Sequence, residues 1–172
     1  MYEDLTTGCG EGGPGMIVSL SLQEHDIVEQ IWSLQHAAYR MEAAAIGLKK
    51  VPPLPETFGS IRSSSDLFFG FISDEGELQG AIAVLPAPSS EGLEITRLMI
   101  REDCLRQGIG SQLVEFVLRS FPDVDVFSVT AGTLNLPAVQ LYRKFGFEPG
   151  ETVTSVAGAN LTVYHYYRHG VK

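Results

Sequence analysis

Cysteine is scarce in this chain of 172 residues: Cys9 and Cys104 are the only two. One sits in a glycine-rich tail and the other in an expected loop, so no disulfide framework can form, and a reducing, cytoplasmic setting is expected. Positive charge is also short. Lysine and arginine total 12 against 21 aspartates and glutamates, a formal charge of -9, which argues against holding nucleic acid by phosphate neutralisation. A cationic partner is compatible with that balance. No apolar run approaches the roughly 20 residues needed to cross a bilayer, and Glu3 and Asp4 stand where a signal peptide carries basic residues. Neither export nor membrane insertion is expected. The four histidines, His25, His36, His165 and His169, are scattered, and no spacing suggests a metal site. There is no internal repeat.

What is present is enough apolar sequence, 44%, for one compact domain with a real core. Residues 1–15 hold five glycines and Pro14 with almost nothing to bury, so they read as a flexible tail before a domain over residues 16–172, with Met16 as an alternative start. Ile17, Val18 and Leu20 predict a short strand. Ser21 followed by Glu24 has the spacing of a capping box, opening a helix that runs to about Ala45. Ile27, Ile31, Leu34, Ala38, Met41 and Ala45 lie three or four residues apart and form its apolar face. The prolines of Val51–Pro55 predict a rigid connection before a short helix near Thr57–Arg62.

Strands are predicted at Leu67–Ser73, Leu78–Leu85 and Leu93–Ile100, with Asp74-Glu75-Gly76 turning between the first two. A loop from Arg101 to Gly108 leads into a helix from Ile109 to about Arg119. A strand over Val124–Ala131, a helix over Asn135–Phe145 and a hairpin from Phe147 to Val156 and Leu161 to Tyr167 complete the chain. The expected class is α/β: a mixed, mostly antiparallel central sheet with helices on both faces, in the order β-α-α-β-β-β-α-β-α-β-β. One parallel crossover is implied by the strand, helix and strand in its middle.

Two segments carry chemistry. Arg106-Gln107-Gly108-Ile109-Gly110-Ser111 lies between a strand and a helix, where the first helical amides lack internal partners and the macrodipole adds positive charge. Gly108 and Gly110 let a diphosphate approach the backbone, and Arg106 can add a charge-assisted bond. A tight turn alone explains the same glycines. A dinucleotide fingerprint would need a third glycine, and a nucleoside triphosphate loop would need Gly-Lys-Ser/Thr; neither is present. The second segment is Asn135 to Phe147, where Ala138, Leu141, Tyr142 and Phe145 at i, i+3, i+4 and i+7 put Tyr142 on an inward face. A buried phenol bonded to a carbonyl is one reading of Tyr142. Asn135 reads equally as an N-cap and Gly146 as a C-cap.

Together the Arg106–Ser111 loop and the N-x-x-A-x-x-L-Y-x-x-x-G-F run resemble the GNAT superfamily of N-acetyltransferases, over about Ile17 to Tyr167. The resemblance implies acetyl-CoA as co-substrate and no metal. It places the pantetheine arm as an extra pseudo-strand against the backbone of Leu98, Met99 and Ile100. The pyrophosphate falls on Arg106, Gln107, Gly108, Ile109, Gly110 and Ser111, with Asn135 and Ala138 also in the cofactor site. It implies Tyr142 as the acid that protonates the leaving thiolate. Glu94 matches the catalytic glutamate of the histone-modifying branch; a solvent-facing strand carboxylate or a water relay are its alternatives. Leu105 departs from the pattern, since the family has Arg or Gln there, so that side-chain contact is lost.

The implied partner is an amine on a small molecule or peptide, with no nucleic acid and no membrane, handled by a monomer or homodimer. Tyr39, Arg40, Glu42, Pro52, Pro53, Tyr164 and Tyr166 are expected near the acceptor, with His165 in reach. A non-catalytic acyl-CoA sensor of the same fold is the alternative function. Use of another donor such as succinyl-CoA would call for a further basic group, which the sequence does not offer.

Overall fold

The computed structural model of the chain describes residues 15–45, 56–88, 92–155 and 158–169. The element order is β1 (Gly15–Leu20), α1 (His25–Ala45), α2 (Phe58–Arg62), β2 (Leu67–Ser73), β3 (Leu78–Pro86), β4 (Leu93–Ile100), α3 (Ile109–Ser120), β5 (Val126–Gly132), α4 (Leu136–Lys144), β6 (Glu148–Thr154) and β7 (Asn160–Tyr167). A single 3-10 turn, Glu102–Cys104, lies between β4 and α3. Among the described residues the strands form one seven-stranded sheet in the order β1-β2-β3-β4-β5-β7-β6. Only the β4–β5 pairing is parallel, spanned by the α3 crossover, as the strand–helix–strand pattern predicts.

Side chains alternate across the pleat and so build two cores. Val18, Phe68, Ala81, Ala83 and Met99 face α1 and α2, where they meet Val28, Ile31, Leu34 and Ile61. Ile17, Phe71, Ile82, Val84, Ile95, Phe127 and Val129 face the other way, onto α3 and the Tyr142–Phe147 end of the chain. Six apolar side chains of α3 are buried: Ile109, Leu113, Val114, Phe116, Val117 and Leu118. At about 1.5–3 kcal/mol per buried side chain, their burial is worth on the order of 10 kcal/mol, an upper bound that far exceeds helix propensity. The helix can therefore leave its first turn free for a ligand.

Several local expectations change. Ser21 does not cap α1: its hydroxyl accepts the Gln23 N–H at 3.3 Å, closing a small turn, and the helix starts at His25, with the Glu24 carbonyl accepting the first bond from Val28 N–H at 3.1 Å. The capping box is found instead at Thr57 and Ser60, each hydroxyl accepting the other's N–H at 3.1 and 2.8 Å, at the head of α2. Gly15 belongs to β1, paired with Ser73, one residue before the expected domain start. The rest of the expected tail, the Val51–Pro55 connection and Gly47 lie outside the described residues. β7 inserts between β5 and β6, so the last hairpin joins the sheet by its second strand.

Candidate active site

The central feature is a parting of the sheet. β4 pairs with β5 only at Leu93, Glu94 and Ile95, opposite Phe127, Ser128 and Val129. Beyond that point β4 remains bonded to β3 as far as Ile100, and β5 remains bonded to β7 as far as Gly132. The register with β3 shifts between Ala83 and Val84, so Ile95 and Arg97 are placed opposite neighbouring residues and Thr96 is extra. Such a bulge bends the strand and swings its end away from its neighbour. The β5-facing backbone edge of Thr96–Ile100 is left open along a cleft of about 310 Å³. The expected contact residues Leu98, Met99 and Ile100 lie on this edge; the Met99 side chain is sealed in the α1 core, leaving its backbone as the part that can serve a ligand.

A second hollow, of about 440 Å³, continues from the cleft to the start of α3, and Leu98, Asn135, Ala138 and Tyr142 line both. Arg106, Gly108, Ile109, Gly110 and Ser111 form its far end; Gln107 is exposed beside them and does not line it. The first intrahelical bond of α3 runs from Gln112 N–H to Gly108 O at 3.0 Å, so the amides of Ile109, Gly110 and Ser111 precede the helical ladder. Gly108 is the N-cap, with φ of 80° and no side-chain cap. Arg106 also adopts a left-handed φ, 62°, which is costly for a residue with a Cβ and occurs where a loop is held for use. Lys144 of α4 reaches the same end, donating from Nζ to Ser111 Oγ at 3.2 Å, and adds a cation that sequence reasoning overlooked. Cys104 lies buried in this wall, where desolvation pushes its thiol above the ordinary range.

The loop before α3 is clipped in place by Arg101. Its guanidinium donates to Asp103 at 2.6 and 3.1 Å and to Glu77 at 3.2 Å. The Asp103 carboxyl is held below its usual range, chiefly by that hydrogen bond.

Tyr142 is 4% exposed yet lines both hollows. Its ring is wedged between Phe147 and Tyr164, with centroids 5.8 and 6.2 Å away. Gly146 (φ 92°) ends α4 in a Schellman motif: Phe147 N–H donates to Tyr142 O and Gly146 N–H to Arg143 O, both at 3.0 Å. The tyrosine's backbone is therefore fixed by the C-cap and its ring by the core. Asn135 is the N-cap of α4 by position, its carbonyl accepting the Val139 N–H at 3.0 Å, but its side chain makes no cap hydrogen bond, and the residue lines both hollows.

Opposite this wall lies a charged network that the sequence reading did not anticipate. Arg97 donates to both oxygens of Glu56 at 2.5 and 2.7 Å and to Gln35 at 2.5 Å, and its Nε lies 3.5 Å from Asp66. Gln35 also donates to Glu56. Thr96 donates to Asp66 at 2.6 Å, and the guanidinium sits 5.2 Å from the Phe68 ring centroid. The side chains of Asp66, Arg97 and Glu56 are 10%, 14% and 28% exposed. One cation faces two carboxylates, so the network carries an excess of negative charge, although only Glu56 and Arg97 of the three line the cleft. The visible signal was an arginine within β4, next to the apolar run Leu98–Ile100.

Glu94 is half-buried opposite Ser128 and is not part of the cleft wall. Alternation puts it on the face shared by Ser128 and His165, one strand step below Thr96. Of the residues expected near the acceptor, Tyr39 lines the cleft and Arg40 is exposed. Tyr164 and Tyr166 instead point into the α4-side core, against Tyr142 and Phe147. His165 faces the other way and pairs with Glu151 at 3.3 Å. Pro52, Pro53 and the Glu42 side chain lie outside the described residues.

Residues 28–147 match the model of the acetyltransferase (GNAT) family. The chain is 35% identical over 152 residues to the UPF0157 protein YqkA of Bacillus subtilis (strain 168), covering 88% of this chain and 43% of that protein's length. The chain thus spans less than half of that curated relative. An N-acetyltransferase from Staphylococcus aureus Mu50 superimposes with a TM-score of 0.71 at 17% identity, covering 91% of this chain and 99% of that one. The ribosomal-protein-S18-alanine N-acetyltransferase of Escherichia coli gives 0.68 at 15% identity over 89% and 93% of the two chains. The yncA structure from Salmonella typhimurium, with its cofactor acetyl-CoA, gives 0.70 at 10% identity over 93% and 97%. At these identities the three structures speak for the fold.

Proposed function

The chain belongs to the acetyltransferase (GNAT) family, and from that premise we propose that it moves an acetyl group from acetyl-CoA to a primary amine of a small molecule or peptide. The observation that carries this reading is the continuity of the β4–β5 wedge with the hollow at the head of α3. It joins an open strand edge, suited to an extended amide-bearing arm, to a set of helix-start amides suited to a diphosphate. Arg106 lines the second part and Lys144 reaches it through Ser111, and Leu98, Ala138 and Leu141 wall it. These features support an extended ligand that bears amides and a diphosphate, as coenzyme A does.

When bound, acetyl-CoA supplies an activated acyl group on a sulfur whose free thiol has a pKa of about 8.5. The chain's own work is orientation and proton movement. An open amide between Thr96 and Ile100 donates to the acyl oxygen and favours charge developing there. Tyr142, at the junction of the two hollows, gives its proton to the departing sulfur. A lysine-like acceptor arrives protonated, with a pKa of about 10.4, and must lose a proton before it attacks. Glu56 lines the cleft, but both of its oxygens are held by Arg97, so it serves as a wall and not as the base. Glu94, one strand step below the cleft, takes the proton through water. The excess negative charge of the Arg97 network attracts the ammonium form of the acceptor.

The test is thiol release from acetyl-CoA against a panel of amines, polyamines, amino acids, aminoglycosides and peptide N-termini. Turnover with one class and not the others supports the proposal. Tight coenzyme A binding with no thiol release across the panel favours an acyl-CoA sensor.

A further inference from the structure

A third hollow, of about 490 Å³, lies outside the cleft between α1 and the start of α2. Its α1 wall is built by His25, Glu29, Trp32 and His36, which follow one another at steps of four, three and four residues and so form a single stripe. Two of the histidines that look scattered in the sequence thus share one helix face. Phe58 and Glu56 close the other side. The rings are arranged in pairs: Trp32 stacks on His36 with centroids 5.9 Å apart at 24°, and His25 meets Phe58 at 4.7 Å. Trp32 is 39% exposed, unusual for so large a ring.

We propose that this groove binds a small organic ammonium ion. Its chemistry is that of an aromatic groove with one carboxylate at its rim: ring faces attract a cation through their quadrupole, tryptophan most strongly, and Glu29, 4.0 Å from His25, adds negative charge, whereas the Glu56 carboxylate is already held by Arg97. Among the described residues no lysine or arginine lines it. An anion would meet the Glu29 carboxylate and the negative faces of the rings, so the groove selects the cation. The helix dipole does not oppose this, because its field is confined to the first turn of α1, whereas Trp32 and His36 lie in later turns. At α2 the capping box already occupies the Thr57 and Ser60 amides. An independent sign of an outside partner is His36, whose Nδ1 is shielded from solvent and has no hydrogen-bond partner among the described residues. Buried polar atoms are rarely left so. The ring that carries it is a wall of the groove.

This site goes beyond acetyl transfer and can be tested apart from it. Trp32 is the only tryptophan in the chain, so its fluorescence reports on the groove alone. Choline is a fitting probe because its quaternary nitrogen cannot serve as an acetyl acceptor. Titration to about 100 mM against matched sodium chloride should give a saturable emission change with a millimolar dissociation constant, as an open groove of this kind allows. The neutral isostere 3,3-dimethylbutanol should give none. Glu29→Gln, at an exposed position that does not threaten folding, should weaken choline by about threefold or more, and Phe58→Ala likewise. No saturable change with choline, or equal binding of the isostere, or a Glu29→Gln protein that binds choline unchanged, overturns the proposal.

Discussion

Replacing Tyr142 by phenylalanine removes one oxygen from a ring that is otherwise held on all sides. The ring is 4% exposed and packed between Phe147 and Tyr164, and the Schellman bonds behind it run through backbone, so the substitution leaves packing and helix end intact. The structural cost is that of one hydrogen bond, about 1 kcal/mol, which for a domain of this size lowers the melting temperature by roughly 2–4 °C. The kinetic cost is separate. A positioned acid contributes about 10²–10⁴-fold, and the coenzyme A thiolate is already a fair leaving group, so turnover should fall on the order of tenfold to a thousandfold. Coenzyme A affinity should stay within about twofold, since both hollows keep their shape. Single-turnover acetyl transfer and thermal melting on the same preparation separate the two effects. Full turnover with the melting point lowered as stated would refute the acid role and return Tyr142 to the core.

Two further outcomes test the walls of the channel. A Cβ placed on Gly110 would lie 3.3 Å from Leu141 Cδ2, so Gly110→Val should push α4 away from α3, weaken coenzyme A about tenfold in calorimetry and cost about 1–3 kcal/mol by overpacking; unchanged affinity in a folded variant would remove this hollow from the cofactor site. Arg97→Met strands Glu56 and Asp66 without their shared cation and should cost about 3 kcal/mol in urea unfolding, with part of the loss recovered when Glu56→Gln is added.

The sequence made legible whatever is encoded by nearest neighbours along the chain. The strand of Leu93–Ile100, the glycine pair before α3 and the inward Tyr142 follow from alternation, helix-start chemistry and an i, i+4 step. The start of α1 was misread because Ser21 satisfies its hydroxyl two residues on, and the local pattern cannot distinguish that turn from a cap. The insertion of β7 between β5 and β6 leaves no local trace, since either strand of the hairpin could have met β5. The Arg97 network was hidden for the same reason: its partners Gln35 and Glu56 are 62 and 41 residues away in sequence. Asn135 shows the converse, where a local cap pattern is present but its side chain is left unused by the helix.

The account rests on acetyl-CoA lying along the open edge of β4 with its diphosphate at the head of α3. Backbone hydrogen exchange measured with and without saturating acetyl-CoA reads both places in one experiment. Protection should rise at Thr96–Ile100 and at Ile109–Ser111, while the β6 strand, on the far edge of the sheet, stays unchanged. Binding that leaves the β4 and α3 amides exchanging as before, or that protects only residues away from them, would contradict the account.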